Sequence, residues 1–230
     1  MKHLTLVKLA SALIVSVFAG AGASAQHDHK EGGKGGHPHH QRFDDPAVWS
    51  KSFDDPARDV WQKPEDVIRA LALKSDARIA DIGAGTGYFT VRLARAVTGG
   101  LVYAVDIEHK MVDHIVSRAK EAGLTNIRGV VAREASASLP EAIDLALMVN
   151  SYHHIEGRTA YMRDLASSLR LGARIAIVEA RPEADQGPPK HYRLSIAQID
   201  QEMLAAGYKR TGQHDFLPRQ NVLIYEITPK

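Results

Sequence analysis

A run of alternating glycines follows directly after a short apolar segment, and this combination is typical of a loop that holds a nucleotide cofactor. The run is Asp81-Ile82-Gly83-Ala84-Gly85-Thr86-Gly87. Glycine adopts left-handed backbone conformations and has no Cβ, so such a loop turns sharply and lets a ligand approach its backbone. The dinucleotide fingerprint G-x-G-x-x-G would need a glycine where this chain has Tyr88. The loop therefore disfavours a cofactor that binds through a pyrophosphate.

The pattern D-x-G-x-G-x-G after a strand resembles the first motif of the class I S-adenosylmethionine-dependent methyltransferases, in particular the small-molecule enzymes of the ubiquinone and menaquinone type. The resemblance implies that the cofactor is S-adenosylmethionine. It implies that Gly83, Ala84, Gly85 and Gly87 lie against the methionine part of that cofactor and that Asp81 holds its ammonium group. A tight strand-to-helix turn that binds no ligand is the alternative interpretation of the glycines.

A second acidic residue, Asp106, ends the next apolar segment, Leu101–Val105. Adenosine-binding α/β folds place a carboxylate about 20 residues after the loop, where it accepts hydrogen bonds from the ribose hydroxyls. Members of the methyltransferase family carry an acidic residue at this place, and the adjacent Ile107 is expected to contact the cofactor as well. Asp106 would also suit the N-cap of a helix that begins near Glu108, and both roles are compatible.

The resemblance assigns two further residues to the cofactor. Many relatives have an acid that contacts the adenine amine after the third strand, and Glu134 is the nearest acid there, although a solvated loop carboxylate is an equal alternative. Asn150 follows the fourth strand. With Tyr152 it resembles the N-P-P-Y motif of methyltransferases that act on amino groups, but both prolines are absent.

The chain also lacks a basic stripe interleaved with aromatic residues, so no nucleic-acid partner is inferred.

Three residues after the fourth strand are candidates for the chemistry of the acceptor: Tyr152, His153 and His154. Open α/β sheets bind their ligands at the carboxyl ends of their strands. Methyl transfer is an in-line displacement, so the protein mainly aligns the acceptor and in some cases removes a proton. Histidine titrates near neutral pH and suits that role. The alternative is that one imidazole satisfies a backbone group while the other faces solvent.

The elements that would position these residues alternate between strands and helices, which indicates a largely parallel sheet. Apolar spacing predicts helices over 88–97, 108–122, 158–169 and 195–206, and strands over 77–82, 101–105, 127–131, 143–149, 173–179, 208–213 and 221–227. We therefore predict an α/β fold with helices on both faces. By resemblance, it is a Rossmann-like seven-stranded, mostly parallel sheet whose last strand is antiparallel.

The amino terminus has the pattern of a secretory signal, because two lysines precede an apolar run and the small residues Ala23-Ser24-Ala25. We predict cleavage after Ala25, a periplasmic or secreted protein, and no membrane span after cleavage. The segment contains Lys2 and Lys8 and no acid, so its removal takes the formal net charge from +2 to zero. The overall charge of the predicted mature protein therefore carries no information about partners.

Residues 26–43 form a predicted disordered linker that is rich in glycine and histidine. Its five histidines, His27, His29, His37, His39 and His40, would bind a transition metal weakly, or the segment is a plain solvated linker.

The chain has no cysteine, which excludes disulfides and thiol chemistry. Residues 44–230 are the predicted methyltransferase domain, and about 44–73 form its helical lid or simply a short segment held by aromatic side chains.

The predicted function is transfer of a methyl group from S-adenosylmethionine to an unidentified small-molecule acceptor. One alternative is a non-catalytic periplasmic module that binds metal or another ligand on the same fold. A nicotinamide-dependent oxidoreductase is a weaker alternative, since Tyr88 replaces the required glycine. The fold alone does not decide the acceptor, and the oligomeric state is not indicated by the sequence.

Overall fold

The computed structural model describes residues 43–228, so the predicted signal and the five tail histidines lie outside the described range. The helices are α1 Pro46–Phe53, α2 Arg58–Gln62, α3 Pro64–Ala70, α4 Tyr88–Ala96, α5 His109–Glu121, α6 Arg158–Leu165 and α7 Ile196–Ala206. The strands are β1 Arg78–Ile82, β2 Leu101–Asp106, β3 Ile127–Val131, β4 Ile143–Val149, β5 Leu169–Ala180, β6 Tyr208–His214 and β7 Gln220–Ile227. Short 3₁₀ turns occupy Tyr152–His154, Ala166–Ser168 and Lys190–Tyr192.

The seven strands form one sheet in the order β3-β2-β1-β4-β5-β7-β6. β1 pairs in parallel with both β2 and β4, whereas β7 runs antiparallel to both β5 and β6. The predicted mostly parallel sheet with its last strand antiparallel is therefore confirmed. The chain crosses from the β3 edge to β4 at the middle of the sheet, which opens a crevice between the carboxyl ends of β1 and β4.

The central strands are buried on both faces because helices cover both sides of the sheet. One apolar cluster contains Ile79, Leu145 and Val178, and a second, on the other face, contains Ile82 and Met148. A strand between two helical layers needs apolar side chains at successive positions rather than at alternate ones. This arrangement leaves the carboxyl ends of the strands as the place where polar side chains meet open space.

Helix boundaries follow local chemistry at α7 and depart from the prediction at α6. The Ser195 hydroxyl accepts from the Gln198 amide at 3.2 Å, and Gly207 ends α7 with φ of +96°. The predicted helix over 158–169 ends instead at Leu165, and β5 begins at Leu169 rather than at residue 173. Leu169 pairs with Ile143, so sheet pairing satisfies backbone groups that a longer helix would have used.

Among residues 43–228, no helix is long and apolar enough to cross a membrane.

Candidate functional site

The glycine loop is held against the end of β2 by backbone hydrogen bonds. The amides of Gly83 and Ala84 both donate to the Val105 carbonyl, at 2.8 and 3.0 Å. Gly83 has φ of +73°, and a Cβ there would lie 2.4 Å from the Cβ of Ser151, which follows β4. Gly85 and Gly87 also have positive φ. The loop therefore needs glycine for its backbone conformation and, at Gly83, for the close approach of the segment that follows β4.

Asp106 ties the glycine loop to the segment that begins α5. Its Oδ2 accepts from the Gly85 amide at 2.8 Å and its Oδ1 accepts from the Glu108 amide at 3.0 Å. Burial raises the pKa of Asp106, and the two backbone hydrogen bonds offset part of that rise. Each carboxylate oxygen has two lone pairs, so each can accept a ribose hydroxyl as well. The N-cap of α5 is Glu108, so the prediction that Asp106 caps this helix is wrong, and the ribose role of Asp106 stays a prediction.

Asp81 is buried at the end of β1. The Thr90 hydroxyl donates to Asp81 Oδ2 at 2.6 Å. Burial is the largest cause that raises the pKa of Asp81 to about 6, and the Thr90 hydrogen bond opposes that rise. A carboxylate this poorly solvated gains most from a cationic ligand, because an opposite charge offsets the cost of burying its own.

Replacement of Asp81 by asparagine should raise the free energy of unfolding of the ligand-free protein. The folded pKa of about 6 exceeds the reference value of 3.8. The charged carboxylate therefore lowers the free energy of unfolding at pH values above the folded pKa. The wild type should lose stability relative to the variant as pH rises from about 4 to about 6, by about 1–3 kcal/mol in total. Urea denaturation of both proteins across this range measures the difference. A constant difference at every pH would contradict the expectation.

A buried hydroxyl beside the loop supports the presence of a ligand site. Thr86 Oγ1 is the one fully buried side-chain polar atom within residues 43–228 that has no hydrogen-bond partner. Thr86 lies between Gly85 and Gly87, and a buried polar group without a partner is normally satisfied by something else. Three positive-φ glycines, an unsatisfied hydroxyl and two buried carboxylates suit a ligand with a cationic group and hydroxyls. These residues therefore fit S-adenosylmethionine.

The segment before β1 lies over the same loop. A Cβ on Gly85 would be 3.2 Å from the Phe53 ring, which ends α1. Arg118 of α5 donates to Asp54 Oδ1 at 2.7 Å and to the Thr86 carbonyl at 2.9 Å, so it connects the segment to the loop. Phe43 contacts both Trp49 and the His154 ring, with centroid distances of 4.7 and 5.5 Å. The predicted lid position is thus occupied by three short helices and an aromatic cluster.

His153 and Glu179 form a buried pair at the carboxyl edge of the sheet. His153 Nδ1 lies 2.7 Å from Glu179 Oε2, and the His153 amide donates to Glu179 Oε1 at 3.2 Å. Their side chains are 2% and 3% exposed. With Nδ1–H donating to the carboxylate, Nε2 carries the lone pair and is the basic nitrogen of the ring. A histidine held in this tautomer is suited to accept a proton from an acceptor molecule.

Sequence reasoning named His153 and missed Glu179. The available signal was a carboxylate in the otherwise apolar end of β5, Ile175–Ala180. An acid in such a strand is rarely buried unless it has a partner. β5 lies between β4 and β7, so the segment that follows β4 is one of the two neighbours that can supply the partner.

The structure places Tyr152 in the core rather than at an open cleft, which departs from the prediction that it faces the acceptor. Tyr152 is 0% exposed, and its hydroxyl donates to Glu202 Oε2 at 2.9 Å. Arg158 binds both oxygens of Glu202 at 2.7 Å. Burial raises the pKa of Tyr152. Its role is therefore to support the 3₁₀ turn that carries His153, because its side chain is committed to the core.

An open cleft of about 580 Å³ lies beside the histidines. His153, His154 and Tyr192 of the third 3₁₀ turn form part of its wall. The ring centroids of His154 and Tyr192 are 6.1 Å apart. This volume lies in the range of small-molecule sites, about 300–1,000 Å³. The predicted placement of His153 and His154 at a small-molecule cleft agrees with this geometry.

The other predicted cofactor residues occupy different environments. Ile107 is 52% exposed immediately after β2. Glu134 is exposed on a turn that is closed by a bridge between Arg133 and Ser136. Asn150 has φ of +53° at the end of β4, and its Oδ1 accepts from Gln220 Nε2 at 2.7 Å. Their predicted roles in cofactor binding stay predictions.

Metal binding by the five tail histidines also stays a prediction, because those residues lie outside the described range. Within residues 43–228 there is no group of three or more histidine, aspartate or glutamate side chains that could hold a metal ion.

Comparisons with known proteins agree with this geometry. Residues 79–172 match the family model described as a methyltransferase domain. The chain is 31% identical over 110 residues to the 27-O-demethylrifamycin SV methyltransferase of Amycolatopsis mediterranei, which covers 46% of this chain and 40% of that enzyme. It is 30% identical over 104 residues to the ubiquinone biosynthesis O-methyltransferase of Parvibaculum lavamentivorans, with 45% and 40% covered. The chain thus spans about 40% of the length of these curated relatives.

A solved structure matches a larger part of the chain. The S-adenosylmethionine-dependent methyltransferase from Aquifex aeolicus superposes with a TM-score of 0.75 at 25% identity, and the match covers 80% of this chain and 99% of that one. The glycine loop and Asp106, on which the resemblance was based, lie inside the matched family region. Neither the nicotinamide enzyme nor the non-catalytic module is favoured by these matches.

Proposed function

We propose that this chain, which carries a class I S-adenosylmethionine-dependent methyltransferase domain, transfers a methyl group from that cofactor to a hydroxyl oxygen of a small molecule. One observation carries the proposal: the glycine loop tied by Asp106 and the His153–Glu179 pair lie at the same carboxyl edge of the sheet. A cofactor loop and an oriented base are the two parts that methylation of a hydroxyl requires.

The residues on the cofactor side bind and orient. S-adenosylmethionine supplies an activated methyl group on a sulfonium centre. Asp106 would accept the ribose hydroxyls, the backbone of Gly83 and Gly85 would lie against the methionine part, and Asp81 would oppose the ammonium charge. Phe53 and the rest of the aromatic cluster exclude water from this side of the loop, which strengthens each electrostatic contact inside it.

The residues on the acceptor side hold the hydroxyl and take its proton. His153 Nε2 would accept the proton from the hydroxyl as the oxygen bonds to the methyl carbon and the bond from that carbon to sulfur breaks, which leaves S-adenosylhomocysteine and an imidazolium. Glu179 accepts the hydrogen bond from Nδ1–H and stabilises the imidazolium that results. An oriented base suits a hydroxyl acceptor, because the proton of the hydroxyl must leave as the oxygen is methylated. Both curated relatives are named as enzymes of O-methylation.

Three arginines in the loops that follow β5 and β6 have structural partners within the protein. Arg181 donates to the Gln220 and Asp215 carbonyls, and Arg193 donates to the Pro188 carbonyl at 2.7 Å. Arg219 pairs with Asp185 at 3.3 Å. These side chains organise the loops after β5. The acceptor we propose is therefore a neutral, aromatic or aliphatic hydroxyl compound that packs against Tyr192 and His154.

Calorimetry with S-adenosylmethionine tests the cofactor site. The wild type should bind with a micromolar dissociation constant, and Asp106→Asn should weaken binding about 10-fold or more, because one oxygen that accepts a ribose hydroxyl becomes a donor. Asp113→Asn, a change at an exposed carboxylate on α5, is the matched control and should bind as the wild type does. No binding to the wild type would overturn the proposed function.

We propose further that the protein acts outside the cytosol. The support is the pattern of residues 1–25: two lysines, an apolar run and Ala23-Ser24-Ala25. Amino-terminal sequencing of the protein purified from separated cell fractions tests this proposal. The expected result is a protein in the exported fraction that begins at Gln26. A cytosolic protein that still carries residues 1–25 would contradict the proposal.

A further inference from the structure

A chain of side-chain hydrogen bonds runs from α2 to the end of β4. Arg58 Nε donates to Gln62 Oε1 at 3.2 Å, Gln62 Nε2 donates to Gln220 Oε1, and Gln220 Nε2 donates to Asn150 Oδ1 at 2.7 Å. Gln62 and Gln220 are 0% and 1% exposed, so water does not compete for these bonds. Three amides and one guanidinium thus connect the segment over the glycine loop to the crevice between β1 and β4.

The guanidinium of Arg58 fixes which group donates and which accepts in each hydrogen bond of this series. Arginine has donors and no acceptor, so Gln62 must turn its oxygen to Arg58 and its nitrogen onward. Gln220 must then accept from Gln62 and donate to Asn150. Each amide is oriented by the one before it, which removes the usual ambiguity between the oxygen and nitrogen of an amide.

Arg58 is itself held in place, so the direction of the chain does not depend on a mobile group. Its Nη1 donates to the Phe53 carbonyl at 2.7 Å, and its guanidinium carbon lies 4.0 Å from the centroid of the Tyr88 ring. Burial lowers the pKa of Arg58, but an arginine remains protonated at any pH at which the protein is folded.

We propose that Arg58, acting through Gln62 and Gln220, holds Asn150 as a hydrogen-bond donor to the carboxylate of the amino-acid part of the cofactor; this inference rests on the proposed function. Asn150 Oδ1 is committed to Gln220, which leaves Nδ2 to donate to a bound ligand. The Asn150 backbone is fixed by its amide, which donates to the Val178 carbonyl at 2.9 Å. The adjacent Ser151 lies against Gly83 of the cofactor loop.

The chemistry of the ligand makes the direction of the chain matter. The ammonium and carboxylate of an amino acid are bonded to one carbon, so a site that opposes the ammonium with Asp81 has the carboxylate close by. A carboxylate accepts hydrogen bonds only, so Nδ2 attracts it, whereas Oδ1 in the same place would repel it. Arg58, Gln62 and Gln220 are positioning residues in this scheme, and Asn150 makes the contact.

The substitution Gln62→Glu tests the scheme because it reverses the chain. A glutamate at this position still pairs with Arg58 but accepts on both oxygens, so Gln220 must turn its nitrogen towards it and its oxygen towards Asn150. Asn150 then donates to Gln220 and presents Oδ1 to the ligand. Binding of S-adenosylmethionine should weaken about 10-fold. Binding of decarboxylated S-adenosylmethionine and of 5′-methylthioadenosine, which have no carboxylate, should change less than about threefold.

A double-mutant cycle separates this effect from the added charge. In an Asn150→Ala background, Gln62→Glu should no longer alter the affinity for S-adenosylmethionine, since no amide remains to be turned. An equal loss in both backgrounds, or no loss in either, would overturn the inference while the proposed function stands. If the glutamate variant does not fold, Gln62→Met repeats the cycle, because it breaks the series of hydrogen bonds and adds no charge. It should give a smaller loss of affinity for S-adenosylmethionine, with the same dependence on Asn150. Absence of binding to the wild type would overturn the proposed function itself.

Discussion

Replacement of His153 by asparagine is expected to lower the turnover number by about 10²–10⁴-fold, the range that a positioned general base contributes. The asparagine side-chain nitrogen takes the place of Nδ1 and keeps the hydrogen bond to Glu179, so the buried carboxylate retains a partner. The variant lacks Nε2 and therefore has no atom that accepts the acceptor's proton. Single-turnover kinetics with a hydroxyl acceptor, together with calorimetry of cofactor binding, should show slower chemistry at an unchanged dissociation constant for the cofactor.

Two companion variants decide what a loss of activity in the His153 variant means. Glu179→Gln should lower turnover less, by about 10–100-fold, because it weakens the orientation of the ring without removing the base. His154→Asn should alter the Michaelis constant for the acceptor more than turnover, because His154 lines the cleft whereas His153 is the histidine paired with Glu179. Full activity in the His153 variant would remove general-base catalysis from the mechanism and would favour an acceptor that needs no deprotonation.

Gly83→Ala is expected to abolish cofactor binding and to lower the free energy of unfolding by about 2–5 kcal/mol. Two independent costs add here. The residue has φ of +73°, which strains any side chain, and the new Cβ would lie 2.4 Å from Ser151 Cβ. The loop after β4 would have to move away from the glycine loop, and the cofactor contacts of both would be lost with it. Thermal or urea unfolding and calorimetry measure the two effects.

Gly123 provides a matched control for the backbone strain alone. It has φ of +68°, and a Cβ there would meet nothing within 4 Å. Gly123→Ala should therefore cost only about 1–2 kcal/mol and leave cofactor binding unchanged. In the double variant Gly83→Ala with Ser151→Gly, the steric overlap is gone and part of the lost stability should return. Equal destabilisation by the Gly83 and Gly123 variants would show that the contact with Ser151 does not matter.

The sequence by itself determined the elements that have a local signal. The glycine loop, the carboxylates at the ends of β1 and β2 and the runs of apolar residues in the central strands are each read from adjacent residues. β3 and β4 therefore have their predicted bounds, and α7 ends at Ala206 as predicted. The end of α6 was predicted four residues too late, because pairing of Leu169 with Ile143 involves residues far apart in the sequence.

Only the tertiary structure decided which side chains meet. His153 and Glu179 are 26 positions apart, and the pattern around each residue is the same whether or not the two touch. Tyr152 is adjacent to His153 in the sequence, yet the 3₁₀ turn directs its side chain into the core and leaves His153 at the edge of the cleft. The amide chain from Arg58 to Asn150 joins three separate segments, and no periodicity predicts it. Local sequence patterns predict the backbone conformation of a segment. The partner of a buried polar group depends instead on which strands the fold brings together.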